Sequence, residues 1–286
     1  MNSRELISKL TPLHGAGEAR AIVRMVMEER FGLSHTDLLL GKDKNLLPDD
    51  RKELEKIALR LLSGEPVQYV LGFADFCGHR FIVTPDVLIP RPETEELTRF
   101  AIDEARLMNV NRQLVNILDL CTGSGCIAIS LALAFPSAHI FAVDVSEAAL
   151  DVARCNALAL GTMNVEFSRH NILGDSFSSP QVDMIVSNPP YVRQSEAQEM
   201  TPTVLNHEPH LALFVTDSDP LRFYLAIAAI GHRHLRPGGA VLVEINATLA
   251  EESRQLFLSS GYTAVTLFND QFNRPRILKA RMKGID

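Results

Sequence analysis

A chain of 286 residues is long enough for a large folded core and one smaller unit, because domains usually run to roughly 100–200 residues. Its 46% hydrophobic and 22% charged residues are typical of a soluble globular protein, and no apolar run approaches the roughly 18 residues that span a bilayer. The net charge of −7 disfavours broad binding to a nucleic-acid backbone. We expect two domains and a cytoplasmic location, since the sequence starts without the basic-then-apolar plan of a signal peptide.

The cysteine pattern predicts no metal centre. The four cysteines, Cys77, Cys121, Cys126 and Cys155, form no C-x-x-C pair, and no nearby histidines complete a zinc-ligand spacing. We therefore expect reduced, mostly buried thiols and no bound metal.

Residues 1–72 are predicted to form a small helical domain. Apolar side chains there recur at intervals of three and four residues, which places them on one face of a helix. The clearest stripe consists of Leu54, Ile57, Ala58, Leu61 and Leu62, and a second one begins with Ile22, Met25 and Val26. Gly41, Pro48 and Gly64 are expected to divide the segment into short helices.

Residues 73–92 are predicted to form a β-hairpin that connects the helical domain to a larger domain over residues 93–286. After a helix over residues 93–108, strand-like and helix-like segments alternate. The predicted strands are residues 115–120, 139–144, 165–169, 182–187 and 240–245, and the predicted helices are residues 126–134, 147–159, 220–235 and 249–259. This alternation predicts an α/β fold with a mainly parallel sheet, helices on both faces, and a ligand site outside the carboxyl ends of the strands.

The helix over residues 220–235 carries its own boundary signals. Asp219 is the predicted N-cap with Pro220 at the first helical position, and the run 237–239 is expected to end the helix. His232 and His234 lie in its last turn, where positive charge is compatible with the helix dipole. We therefore interpret them as surface residues in preference to metal ligands.

A glycine-rich loop follows the first strand of the larger domain. Its residues are Cys121, Thr122, Gly123, Ser124 and Gly125. The glycines allow a sharp turn and a close approach of the backbone to a ligand. Residues 123–128 also match the G-x-G-x-x-G/A pattern of dinucleotide sites, so the loop predicts a nucleotide-like cofactor without selecting nicotinamide or S-adenosylmethionine.

Further polar residues follow the next two strands. Asp144 ends the second strand, where a carboxylate can accept hydrogen bonds from the hydroxyls of a ribose. A turn residue or a cap for the next helix is the alternative reading of Asp144. After the third strand, Asn171 is placed to meet an adenine amine and Ile172 to pack on the ring, with simple core packing as the alternative for Ile172.

The tetrapeptide Asn188-Pro189-Pro190-Tyr191 follows the fourth strand and predicts a rigid holder for a planar amino group. The two prolines have no N–H, so the run cannot continue a sheet ladder and its carbonyl groups are free to accept hydrogen bonds. Asn188 adds an amide acceptor and Tyr191 a flat aromatic face. An ordinary proline-rich loop is the alternative.

Together, the glycine-rich loop and the tetrapeptide favour methyl transfer from S-adenosylmethionine over hydride transfer, which needs no such holder. Asn188 and the Pro189 carbonyl are expected to accept the two N–H groups of the substrate and to aim its nitrogen at the methyl group. Acceptors fixed in advance stabilise the nitrogen as it becomes partly positive. No His or Glu is assigned as general base, because the methylated nitrogen can lose its proton after transfer.

These residues resemble those of the class I methyltransferases that methylate the glutamine of the Gly-Gly-Gln loop in peptide chain release factors, the HemK/PrmC family. The resemblance covers nearly the whole chain. Besides the loop and the tetrapeptide, the matching runs are residues 64–69, 71–72, 88–95 and 207–209. The run through Arg91 and Glu93 is the most family-specific, since Asn-Pro-Pro-Tyr is shared with enzymes that methylate amines of DNA and RNA.

The resemblance implies a class I, Rossmann-like methyltransferase domain and a role for particular residues. The residues implied to contact S-adenosylmethionine are Cys121, Thr122, Gly123, Ser124, Gly125, Asp144, Ile172 and Asn188. Those implied to hold the glutamine amide are Asn188, Pro189, Pro190 and Tyr191, with Asn188, Pro189 and Tyr191 as the catalytic set. The helical domain is implied to help bind the release factor. Arg91 and Glu93 are implied to shape the cleft, with an interdomain ion pair as the alternative.

The sequence departs from the family pattern at two positions. Cys121 stands where many members have glycine, and we expect the small thiol to fit with a negative φ. Asn171 replaces an aspartate that is common after the third strand, and its amide can still face adenine.

Three other functions compete with this one. The nearest is methylation of a glutamine in a ribosomal protein, against which the run 90–93 counts. An amino methyltransferase acting on nucleic acid is disfavoured by the acidic net charge. A cofactor-binding scaffold without catalysis would have no use for Asn188. We expect a monomer that acts on release factors, with no membrane or nucleic-acid partner.

Overall fold

The computed structural model describes residues 1–108, 115–174 and 178–284. The chain folds into two compact units, Met1–Phe73 with Met200–His207, and Ala74–Glu199 with Glu208–Asp286. The sequence pattern did not indicate that residues 200–207 belong with the first unit. No helix within the described ranges has both the length and the apolar character needed to cross a membrane.

The first unit begins with four helices. They are α1 (Ser3–Phe31), α2 (His35–Leu39), α3 (Pro48–Leu62) and α4 (Val67–Leu71). The predicted stripe on α3 is buried except at Leu62, which is only partly covered. On α1 the prediction holds for Ile22 and Val26 but is wrong for Met25, which faces solvent.

The second unit contains the hairpin and the α/β domain. Its strands are β1 (Phe73–Phe76), β2 (His79–Ile82), β3 (Asn116–Leu120), β4 (His139–Asp144), β5 (Val165–Arg169), β6 (Val182–Ser187), β7 (Val192–Arg193), β8 (Phe214–Val215), β9 (Leu235–Glu244), β10 (Thr263–Asn269) and β11 (Pro275–Arg281). Its helices are α5 (Pro92–Met108), α6 (Cys126–Ala134), α7 (Glu147–Leu160), α9 (Arg222–His234) and α10 (Ala250–Ser259), while α8 (Pro202–His207) belongs to the first unit.

A seven-stranded sheet organises this unit, in the order β10-β11-β9-β6-β3-β4-β5. The four pairings from β9 to β5 are parallel, and β11 pairs antiparallel with both β9 and β10. The predicted mainly parallel α/β fold is confirmed. Strands β10 and β11 were not predicted. Strand β10 buries few of its residues and so lacks a clear alternation of apolar side chains.

Alternate side chains of the central strands pack on opposite faces of the sheet. Ile117 and Met184 face the core that includes α5 and α6, whereas Leu118 and Ile185 face the core that includes α9 and α10. Both faces of the central strands are therefore buried, as expected for parallel strands covered by helices.

The predicted boundaries of α9 are wrong. The helix begins at Arg222 after Leu221, which makes no side-chain cap, so neither Asp219 nor Pro220 starts it. It ends because the chain turns extended at Leu235 and enters β9, which contains residues 237–239. The surface assignment fits His232, but His234 is only 9% exposed.

Asp119 ties the glycine-rich loop to the start of α6. It is 0% exposed, and its Oδ2 accepts hydrogen bonds from Thr122 Oγ1 at 2.6 Å and from the Ala128 N–H at 3.2 Å. The other oxygen, Oδ1, is buried without a hydrogen-bond partner in the described part of the chain. Burial raises the pKa of Asp119 to about 7.

We predict that Asp119→Asn weakens the dependence of stability on pH. The folded pKa lies above the unfolded value, so the folded state binds the proton more tightly and the free energy of unfolding falls as pH rises between the two values. Urea denaturation at about pH 5 and about pH 8 should show the wild-type protein losing roughly 2–3 kcal/mol more than the variant. Equal losses in both proteins would contradict the role of Asp119.

Candidate active site

A cavity of about 380 Å³ opens at the carboxyl ends of the parallel strands in the second unit. This volume lies within the range of small-molecule sites. Of the eleven residues that the resemblance implies for contact with the cofactor or the glutamine amide, eight line it: Cys121, Thr122, Gly123, Ser124, Asp144, Ile172, Asn188 and Pro190. They come from the loops after β3, β4, β5 and β6, so the cavity lies where the fold places ligands.

The other three of these eleven residues are not in the wall of the cavity. Gly125 has φ 78° at the start of α6, and a Cβ there would lie 2.9 Å from Ile129 Cδ1 and 3.1 Å from Ala153 Cβ, so it permits close packing of α6. Pro189 is buried, and Tyr191 packs with the core beside α9.

The glycine-rich loop turns through left-handed backbone at both Cys121 and Gly123. Gly123 has φ 55°, and nothing lies within 4 Å of the position that its Cβ would take, so a ligand can approach the backbone there. Cys121 has φ 61°, and the expectation of a negative φ was wrong. Left-handed backbone costs roughly 1–2 kcal/mol for a residue with a Cβ, which explains why glycine suits this position.

The Cys121 thiol carries no sign of activation. Burial raises the pKa of Cys121 well above its ordinary value, and nearby Asp144 and Asp119 act in the same direction. The prediction of mostly buried thiols fails at Cys155, which is exposed, and Cys77 and Cys121 are half-buried. Among the described residues, no group of three or more His, Cys, Asp and Glu side chains is arranged to hold a metal ion.

Asp144 is held by backbone on both sides. Its Oδ2 accepts a hydrogen bond from the Gly123 N–H and its Oδ1 from the Ser146 N–H, each at 2.9 Å. The alternative reading as a turn residue therefore describes part of its role, while the helix cap is Ser146. Each carboxylate oxygen has a second lone pair, so Asp144 can still accept from hydroxyls in the cavity.

The loop after β5 contributes one polar and one apolar residue. Asn171 Oδ1 accepts a hydrogen bond from the Leu173 N–H at 3.1 Å, which leaves the amide Nδ2 as the donor available to a ligand. Ile172 is buried in the core beside α9, as its core-packing alternative expects, and it also lines the cavity. Its packing on an adenine ring stays a prediction.

The tetrapeptide after β6 is held by a buried hydrogen-bond network that the sequence did not reveal. Asn188 Nδ2 donates to Thr94 Oγ1 at 2.9 Å, and Thr94 Oγ1 donates to Glu244 Oε2 at 2.7 Å. Tyr191 OH donates to the other carboxylate oxygen, Glu244 Oε1, at 2.8 Å. The Arg276 guanidinium lies 5.9 Å from the centre of the Tyr191 ring. The Tyr191 ring is partly buried and packs against the core beside α9.

Arg91 forms an ion pair within the second unit. Its Nη2 donates to Glu208 Oε1 at 2.5 Å, and Glu208 Oε2 accepts from the Ile89 N–H at 3.2 Å. The alternative for Arg91 and Glu93 was an ion pair between domains. Arg91 does not form such a pair, because Arg91 and its partner Glu208 belong to the same unit. Arg91 also lines the cavity, whereas Glu93 does not.

Sequence reasoning missed Thr94, Glu244 and Arg276. Thr94 lies in the run 88–95, but its hydroxyl had no recognisable partner 150 residues away. Glu244 lies next to the end of the predicted strand 240–245, near the sheet edge where Asp144 also ends a strand, and that position was the available signal.

Two family models match the chain. One described as "PrmC N-terminal domain" covers residues 7–72, and one described as "Methyltransferase small domain" covers residues 104–211. A solved structure, the methyltransferase from Pyrococcus furiosus, is similar with a TM-score of 0.52 and 19% identity over 79% of this chain and 98% of that one. At that identity the similarity shows the fold alone, and it confirms the predicted class I architecture.

Two curated relatives are similar over almost their whole length. The chain is 42% identical to the release factor glutamine methyltransferase of Bacteroides thetaiotaomicron, and the match covers 95% of each chain. It is 38% identical to the protein of the same name from Flavobacterium psychrophilum, over 98% of this chain and 97% of that one. Since similarity at this level extends through both units, the chain belongs to the release factor glutamine methyltransferase family of class I methyltransferases.

Proposed function

We propose that the protein transfers a methyl group from S-adenosylmethionine to the side-chain amide nitrogen, N5, of the glutamine in the Gly-Gly-Gln motif of peptide chain release factors. The observation that carries the proposal is the shared cavity wall: Asn188 and Pro190 line the same space as the glycine-rich loop and Asp144. Membership of the family supports the choice of substrate.

The residues of the cavity fit S-adenosylmethionine, which would supply the methyl group. Gly123 leaves open space beside its backbone, Asp144 retains acceptor capacity for ribose hydroxyls, and Ile172 offers an apolar surface for a base. The further contacts that we propose are those of Cys121, Thr122, Ser124 and Asn188, with Gly125 acting through the packing of α6.

Asn188 supplies the chemistry that distinguishes this site from a cofactor scaffold. An amide nitrogen is a weak nucleophile because its lone pair is delocalised, and it becomes partly positive as it takes up a methyl group. Acceptors at Asn188 Oδ1 and the Pro189 carbonyl would hold the N–H groups and stabilise that charge more than they stabilise the ground state. Pro190 and Tyr191 complete the proposed amide-holding segment.

The first unit, which the PrmC N-terminal model matches, helps to bind the release factor. The enzyme acts as a monomer in the cytoplasm, with no membrane or nucleic-acid partner.

We predict that the purified protein transfers one labelled methyl group per molecule of release factor. The measurement uses S-adenosylmethionine with a radioactive methyl group and an intact bacterial release factor, with mass spectrometry to locate the label. A release factor in which the Gly-Gly-Gln glutamine is replaced by alanine is the matched control and should take no label. Label in a ribosomal protein or in RNA would select one of the competing functions instead.

We predict different defects for two variants in the cavity wall, one in turnover and one in cofactor binding. Asn188→Ala should lower kcat by about 10²–10³-fold while calorimetry still detects S-adenosylmethionine binding, because the lost contact is one made to the transition state. Asp144→Ala should instead raise the dissociation constant of S-adenosylmethionine by about 10-fold or more, through loss of two acceptor oxygens. A normal kcat in Asn188→Ala would show that its carbonyl does not hold the substrate.

A further inference from the structure

Glu244 reaches both ends of the tetrapeptide from the last position of β9. Its side chain is buried, with 1% of the residue exposed, and each carboxylate oxygen accepts one hydrogen bond. Oε2 accepts from Thr94 Oγ1, which in turn contacts Asn188, and Oε1 accepts from Tyr191 OH. One buried carboxylate therefore fixes the first and the last residue of the segment.

The hydrogen atoms available make this network directional. An ionised carboxylate can only accept, so the single hydroxyl hydrogen of Thr94 points to Glu244. Thr94 Oγ1 can then only accept from Asn188, which requires the NH₂ end of the Asn188 amide to face Thr94. The carbonyl oxygen of Asn188 is consequently directed away from Thr94, and this oxygen is the atom that a substrate N–H requires.

The direction of the network holds for the ionised form of Glu244, at a pH above its raised pKa. Burial raises the pKa of Glu244 and the negative charge of Glu93 adds to the rise, whereas the hydrogen bonds from Thr94 and Tyr191 and the positive charge of Arg276 act against it. Arg276 also donates to the Ile245 carbonyl at 3.3 Å and approaches Asp270 at 3.6 Å, so it is fixed beside the strand end. Removal of one partner from such a network leaves a buried polar group unsatisfied.

We propose that Thr94 and Glu244 are positioning residues that set the orientation of the Asn188 amide, so that its carbonyl oxygen and not its NH₂ group faces the substrate amide. The proposal rests on the proposed function for its substrate, but the orientation itself is a property of the enzyme alone. Without the Thr94 hydroxyl the Asn188 amide can rotate by half a turn. Its NH₂ group then faces the N–H groups of the substrate amide, and two donors cannot form a hydrogen bond.

The test compares two substitutions of Thr94. Thr94→Val keeps the shape and removes the hydroxyl, while Thr94→Ser keeps the hydroxyl. We expect Thr94→Val to lower kcat by about 10–100-fold with the KM for release factor and the dissociation constant of S-adenosylmethionine within about 3-fold of wild type. Thr94→Ser should return kcat to within about 3-fold. A wild-type kcat in Thr94→Val, or an equal loss in both variants, would overturn the proposal.

A double variant separates positioning through Asn188 from a general structural effect. If Thr94 acts through Asn188, adding Thr94→Val to Asn188→Ala should lower kcat by less than about 2-fold, whereas independent roles would multiply the two losses. Glu244→Gln tests the same proposal if Thr94→Val is unstable. The amide of the new side chain can donate to Thr94 Oγ1, so Thr94 is no longer restricted to accepting from Asn188.

A readout without methyl transfer distinguishes failure of this inference from failure of the proposed function. In protein with ¹⁵N-labelled asparagine, the side-chain NH₂ signals of Asn188 are those missing from Asn188→Ala. One of their hydrogens should exchange slowly with solvent in the wild type and Thr94→Ser but rapidly in Thr94→Val. Unchanged exchange in Thr94→Val would refute the orientation whichever protein the enzyme methylates, and an inactive wild type with the expected exchange pattern would refute only the substrate.

Discussion

The parallel pairing of β5, β4, β3, β6 and β9 is the constraint on which the second unit depends. Parallel strands all end at the same edge of a sheet, so four successive loops converge on one cavity although they are far apart in the chain. The central strands are covered on both faces, which leaves only their ends accessible to a ligand. The position of the site therefore follows from strand direction before any side-chain chemistry is considered.

Three carboxylates near these strand ends convert the edge of the sheet into a defined site. Asp119 binds the hydroxyl of Thr122 and the first turn of α6, Asp144 binds two backbone N–H groups, and Glu244 binds Thr94 and Tyr191. Burial raises the pKa of each, so each costs stability unless hydrogen bonds offset the loss of water. These hydrogen bonds hold the loops in defined positions, and transition-state stabilisation requires groups that are positioned in advance.

Local sequence patterns predicted most of the helices and strands but not all of the points where they begin, end or turn. Helices α6 and α7 and strands β3, β4, β5 and β6 match the predicted segments closely, because each is a run rich in apolar residues, whether one face or both faces are buried. The start of α9 was wrong since cap residues are only statistical signals, and its end was set by entry into β9. At Cys121, φ is positive because the turn out of β3 requires it, despite the cost to a residue with a Cβ.

The sequence by itself determined the class of fold, the glycine-rich loop and the tetrapeptide, because each depends on residues that are neighbours in the chain. Only the tertiary structure decided that Tyr191 turns into the core and that Asn188 is held by Thr94 and Glu244. Asn188 and Thr94 are 94 residues apart in the chain. Thr94 and Glu244 are 150 residues apart, and Tyr191 and Glu244 are 53 residues apart. A hydroxyl or a carboxylate carries no local sign of a distant partner, so the direction of the Asn188 amide emerges only when α5, β6 and β9 pack together.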